Sequence, residues 1–177
     1  MDEQFAMFAK HAVDLRATLR LFKDLILLTA QMRAVRDVEN WKRLPTHKGE
    51  LTNSLAGSLG LPVLVTDADY DKHDLEQCEV GITECDALVA QTGTVIVTSC
   101  TAAGRASSVL PPPQVVIVWR ELLVPDLPAA FVLIKSEHGA NYPNMISFIT
   151  GPSRTGGIER ILVFGAHGPK KLTIFCV

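Results

Sequence analysis

Gln114-Val115-Val116-Ile117-Val118-Trp119 is the most strand-like run in the chain, and its surroundings decide the fold class. Four consecutive β-branched residues favour extended backbone. Ahead of it, Pro111-Pro112-Pro113 bars regular hydrogen-bonded structure. Behind it, a helix is predicted over Pro128–Glu137 with proline in its first turn. A strand at Met145–Ile149, a short helix over Ile158–Phe164 and a closing strand at Leu172–Val177 follow. Upstream, Ala87–Ala90 and Thr94–Thr98 flank Thr92-Gly93, the pattern of a tight hairpin or kink. A helix from about Lys48 to Leu59 ends at Gly60 and leads into a short buried strand, Leu61–Val65. Strands separated by helices predict an α/β protein, a three-layer α/β/α sandwich with a mainly parallel sheet.

The N-terminal segment reads as one amphipathic helix over about residues 3–36. Phe5, Phe8, Ala12, Leu15, Leu19, Phe22 and Ile26 recur at three and four residues and share a face. Leu21, Leu25 and Leu28 widen that stripe, which packs on the protein's own sheet or docks a partner. Asp67, Asp69 and Asp71 mimic the start of a calcium loop, but Lys72 and Cys78 stand where glycine and glutamate are needed. Capping and turn formation account for them better.

With 177 residues, 47% apolar and 20% charged, the chain fits a single domain spanning 1–177. A net charge of −2 argues against nucleic-acid binding. The acidic start is followed by no apolar leader core, and no run approaches the ~20 residues of a bilayer span. The expected location is cytoplasmic, with no membrane span. Cys78, Cys85, Cys100 and Cys176 lie on or beside apolar segments without a C-x-x-C. That spacing suits buried thiols and no metal or iron–sulfur site.

Chemistry concentrates in Ile149-Thr150-Gly151-Pro152-Ser153-Arg154-Thr155-Gly156-Gly157-Ile158-Glu159 and in Gly165-Ala166-His167-Gly168-Pro169. Glycine permits close backbone approach, and guanidinium binds phosphate or carboxylate bidentately. Ligands of open α/β sheets bind beyond the carboxyl ends of the strands. Three loops are expected to converge there: Gln91–Thr94, Ser99–Ser108 and Gly151–Thr155. The candidate ligand-binding residues are Gln91, Thr92, Gly93, Thr94, Arg105, Ser108, Gly151, Ser153, Arg154, Thr155 and His167. Thr155 would cap a helix beginning near Gly156, adding partial positive charge to the site. The structural alternatives are an Arg154–Glu159 ion pair, capping hydroxyls at Ser153 and Thr155, and a turn-bonding His167. No catalytic group is identified; His167 and Glu159 are the candidates. A nucleophile elbow and a P-loop ending are both missing.

From about Gly81 onward the chain resembles the lactate utilization (LUD) domain family, in its stand-alone lactate utilization protein C branch. The resemblance rests on Gly81-Ile82-Thr83, Asp86 through Thr94, Arg105 through Pro112, Gly151 through Thr155, Ile158-Glu159 and His167-Gly168-Pro169. It implies a fold similar to sugar-phosphate isomerases and CoA transferases. It also implies a cytoplasmic three-component system oxidising L-lactate to pyruvate, with iron–sulfur clusters in two partner proteins and no cofactor in this chain. Departures from the family pattern are Gln91 for a glutamate, Glu84-Cys85 for a small pair, Gly156-Gly157 for Ala-Asp, and Gln114 for a histidine. The alternative is a free-standing CoA-transferase-like enzyme acting on a phosphorylated, CoA-linked or folate-type substrate. It needs a cleft carboxylate from Glu84, Asp86 or Glu159. A ligand-free scaffold is the third reading.

Overall fold

The computed structural model describes residues 3–47, 49–66, 71–100, 111, 113–156, 162–164 and 168–177. Helix α1 (Glu3–Asp14) is followed by strand β1 (Thr18–Leu21) and helix α2 (Leu25–Glu39). The long helix expected over residues 3–36 is therefore two helices with a strand between them. The break is a Schellman cap centred on Arg16 at φ 68°, where Ala17 N–H reaches Ala12 O and Arg16 N–H reaches Val13 O. Asp24 restarts the helix by accepting from Leu27 N–H at 2.9 Å. Ile26, assigned to the buried stripe from its spacing, is 80% exposed.

Next come β2 (Leu44–Thr46), α3 (Glu50–Leu59) and β3 (Val63–Val65). β2 and β3 pair in parallel across α3, which ends on Gly60 at φ 66° as anticipated. β3 is not the buried strand expected, since Val63 and Val65 are exposed. Asp71 caps the short helix α4 (Lys72–Glu76); Asp67 and Asp69 lie outside the described residues.

The first main sheet contains β1, β12 (Lys171–Cys176), β7 (Pro113–Val118) and β4 (Gly81–Glu84) in that order, all parallel. Pro113 opens β7 and so belongs to the strand, contrary to the expectation for the proline run. A strand's first residue is a position where a missing N–H is tolerated. The second sheet runs β8 (Leu123–Val124), β5 (Ala87–Val89), β6 (Thr94–Thr98), β9 (Ile146–Ile149). β5 and β6 form the expected hairpin, turning at Gly93 with φ 65°. α5 (Leu127–His138) lies between β8 and β9 in sequence, capped by Asp126.

Residues 154–156 and 162–164 are β10 (Arg154–Gly156) and β11 (Leu162–Phe164), an antiparallel pair. The helix predicted over Ile158–Phe164 is thus a strand where it is described, and Thr155 is paired with Val163 instead of capping a helix. Glycine at 156 and 157, adverse to a helical first turn, favours that outcome.

Three apolar clusters order the layers. α2 and α3 cover one face of the first sheet through Leu28, Met32, Leu51, Leu55 and Leu59 against Ile82, Val115, Ile117 and Phe175. The opposite face (Val116, Val118, Ile174) meets Phe5, Phe8 and Ala12 of α1 and the inner face of the second sheet (Leu88, Val95, Val97). α5 covers the outer face of that sheet through Ala130 and Ile134 on Ala87, Val89 and Ile96. Helices thus clad both sides of a β interior, the α/β/α sandwich, with the interior divided into two sheets. Among the described residues no helix is long and apolar enough to cross a membrane.

Candidate functional site

The loop after β5 and the loop after β9 come together. Thr94 Oγ1 lies 2.9 Å from Thr150 Oγ1, and Thr92 Oγ1 donates to Thr94 Oγ1 at 2.7 Å. Gln91 N–H reaches Pro125 O just beyond β8. These loops therefore leave the carboxyl ends of β5, β8 and β9, the side expected for a ligand site, but in the second sheet. With respect to the first sheet they sit at the amino ends. Gly151 touches Leu15, three residues before β1 begins, and Ser153 N–H reaches Pro169 O, two residues before β12 begins.

The glycines in this place are explained by α1. A Cβ at Gly93 would lie 2.5 Å from Ala12 N, and one at Gly151 would lie 2.5 Å from Leu15 O. His11 Nδ1 lies 3.1 Å from Ala90 O, fastening the same helix end to the hairpin. Positive φ at both glycines lets the loops close against the helix terminus. Close backbone approach was read from sequence as room for an anion, and at these two residues it serves packing.

Of the candidate residues, Gln91, Thr92, Gly93, Thr94, Gly151, Ser153, Arg154 and Thr155 are described, and the structure gathers them on this end of the molecule. Gly151 and Thr94 are buried, while Gln91, Arg154 and Thr155 are exposed. Ser153 bonds through its backbone to Pro169, and a Cβ on Gly168 would lie 3.1 Å from Ser153 Cβ. The Gly-Pro-Ser-Arg-Thr and Gly-Pro segments are thus neighbours. Arg105, Ser108, Glu159 and His167 lie outside the described residues, as does most of the Ser99–Ser108 loop.

Gln114 opens the interior of this end. It is 1% exposed and its Nε2 donates to Thr83 Oγ1 at 3.3 Å, while its Oε1 has no hydrogen-bond partner among the described residues. β7 is in register with β12 at Leu172, so Gln114 shares the amino-end level of the first sheet with the Ser153–Pro169 contact.

Two of the three carboxylates that could serve a free-standing transferase are engaged in other contacts. Glu84 Oε1 accepts from Thr52 N–H at 2.9 Å and Thr52 Oγ1 at 3.0 Å, capping α3 from outside the helix. Gly49, the backbone N-cap, has no side chain to do so, and a Cβ there would lie 1.9 Å from Glu84 Oε1. Asp86 accepts from Thr98 N–H at 2.9 Å and Thr98 Oγ1 at 3.2 Å, and its Oδ1 lies 2.9 Å from His138 Nε2. Sequence reading named both carboxylates but gave His138 no role. Nothing local marks a contact across 52 residues.

Cys78, Cys85 and Cys176 are buried free thiols, whereas Cys100 is exposed, a departure from the uniform burial expected. Burial pushes Cys78 and Cys176 up to about 11 and Cys85 well above the ordinary thiol value.

The family model for the LUD domain matches residues 36–177. The chain is 38% identical over 125 residues to lactate utilization protein C of Bacillus subtilis, covering 68% of this chain and 52% of that protein. It is 41% identical over 104 residues to the protein of the same name from a Geobacillus species, covering 58% and 43%. The chain thus spans about half the length of these relatives. A solved DUF162 family protein of Deinococcus radiodurans has a similar fold, with TM-score 0.73 and 19% identity, covering 99% of this chain and 96% of that one.

Proposed function

Because the chain belongs to the LUD domain family, we propose that it is the cluster-free component of a three-protein system oxidising L-lactate to pyruvate. On this reading it works in the cytoplasm with two iron–sulfur proteins, and it holds a small anion on the end built by Gln91–Thr94 and Thr150–Thr155. The relatives named lactate utilization protein C support the assignment to lactate metabolism. One observation carries the anion site: the Thr94–Thr150 contact joins the two motif loops at the carboxyl ends of β5 and β9, with Arg154 exposed beside them. The exposed guanidinium offers paired donors to a carboxylate. Gln91 supplies an amide where an acid–base carboxylate would otherwise stand, which favours binding over chemistry. Glu84 and Asp86, held as a helix cap and in a buried hydrogen-bond network, disfavour the free-standing transferase.

The test is reconstitution of L-lactate-driven dye reduction from the two cluster-bearing proteins, with and without this chain. Dependence on it supports the subunit reading, and full activity without it removes that reading. Arg154→Ala is expected to weaken L-lactate binding by about 1 kcal/mol, the scale of an exposed charge-assisted contact. An unchanged calorimetric titration takes Arg154 out of the site.

A further inference from the structure

The edge of the first sheet carries a groove that the proposed function does not use. β1 is the last strand of that sheet among the described residues, and its side chains are only partly covered. Alternation along β12 decides which of its side chains point there. Leu172, Ile174 and Cys176 point to the α1 side, whereas Phe175 belongs to the cluster under α2, so Thr173 shares the α2 face. Thr18 is the register partner of Thr173 and Arg20 that of Phe175, which brings both β1 residues to the same face. Opposite them α2 presents Gln31, Val35 and Val38, and the groove between measures about 300 Å³.

Its polar groups lack partners within the fold. Neither the Arg20 guanidinium nor the Thr18, Thr173 and Gln31 side chains has a hydrogen-bond or ion-pair partner among the described residues. Thr173 is 7% exposed, and a buried hydroxyl without a bond costs free energy that a ligand accepting from it recovers. Lys171, also in the lining, is already paired with Glu39, whose other oxygen accepts from Trp41 Nε1 at 3.2 Å. Arg20 is therefore the cation left for a ligand among the described lining residues. A guanidinium keeps its charge and offers paired donors to a carboxylate. The remaining wall is apolar, from Val35, Val38 and the Phe175 ring. Val38 is 85% exposed, so a ligand body laid on it removes apolar surface from water.

We propose that this groove binds a small monocarboxylate with an apolar body, its carboxylate on Arg20 with Thr18 and Thr173 donating, its body against Val35, Val38 and Phe175. The site lies on the α2 face of the first sheet, whereas the motif loops meet α1 on the other face. It stands whether or not the lactate reading does.

The experiment is a titration of the full chain at pH 7 and constant ionic strength with sodium benzoate, benzyl alcohol and sodium phosphate, followed by methyl and amide NMR. Benzoate should shift Val35, Val38 and Thr173 saturably. Both controls should bind more weakly there, since benzyl alcohol lacks the charge and phosphate the apolar body. Arg20→Gln, at an exposed edge position, and Thr173→Val, which keeps the buried shape without the hydroxyl, should each raise the benzoate Kd about three- to tenfold. Arg154→Ala should leave that Kd unchanged, which separates this groove from the anion end. The proposal is overturned by no saturable benzoate shift at these residues, by equal or tighter binding of either control, by an unchanged Kd in either groove variant, or by loss of benzoate binding in Arg154→Ala.

Discussion

Gly93 and Gly151 show how a residue's backbone freedom can be legible in the sequence while its packing role is not. Their positions in motif loops made backbone freedom legible, and both do adopt positive φ. What the sequence could not reveal is that the end of α1 fills the space a side chain would take, because that contact joins segments separated by more than 80 residues at Gly93. Gly93→Ala and Gly151→Ala should therefore each cost at least about 2 kcal/mol, combining left-handed backbone strain with a clash against backbone at or just past the end of α1. Gly57→Ala, on an exposed turn of α3 with nothing within 4 Å of its would-be Cβ, should stabilise by about 0.5–1 kcal/mol. Urea unfolding of the three variants checks the contrast; equal effects would refute the packing account. The cysteines give a second residue-scale prediction. Cys100 is exposed, while burial raises the thiol pKa of Cys78, Cys85 and Cys176. Only the thiolate attacks disulfide reagents. A native sample at pH 8 should thus titrate one fast thiol, and an unfolded one all four.

At the scale of elements, hydrophobic periodicity located most helices and strands, and failed where caps decide. The spacing from Phe5 to Ile26 continues through the helix break at Arg16, so only the cap chemistry distinguishes one helix from two. Arginine at a left-handed cap gives no sequence signal, unlike the Gly60 that ends α3. The region from 158 to 164 failed for another reason: a three-residue strand exists there only because β10 pairs with it. Caps that arrive from distant elements also set pH dependence. Glu79 Oε2 accepts from Lys42 N–H at 3.1 Å and Arg43 N–H at 3.0 Å, clamping the chain just before β2. Burial alone would raise its carboxyl pKa, but these backbone donors together with the Lys42 charge hold it below the ordinary 4.5. A depressed folded pKa means that the clamp stabilises fully above the unfolded value near 4.5 and fades as pH falls through the lower folded value. Glu79→Gln should consequently lower Tm at pH 7 and converge on the parent below pH 4.5. Parallel Tm curves across that range would show that Glu79 is not the titrating clamp.

For the molecule as a whole, periodicity foretold that α1 packs on the protein's own sheet, but not that it meets two sheets. Its apolar face suggested a partner seam or a sheet contact, and the structure places it against both sheets at once through Phe5, Phe8 and Ala12. The same helix end meets the Gly93 and Gly151 loops, so the candidate anion end rests on the helix that joins the two halves of the core. Phe8 is fully buried, and Phe8→Ala should cost about 3–5 kcal/mol by transfer and cavity together. Both tryptophans lie in or against the other cluster, on the α2 and α3 side of the first sheet. If α1 unites the core, the Phe8→Ala midpoint moves equally by tryptophan fluorescence and by far-ultraviolet dichroism, as one cooperative transition requires. If the fluorescence midpoint stays at the parental value while the dichroism splits, the α2–α3 side folds without α1. Loss of α1 contacts would then disturb the anion end alone, and the coupling between core and site would lie elsewhere.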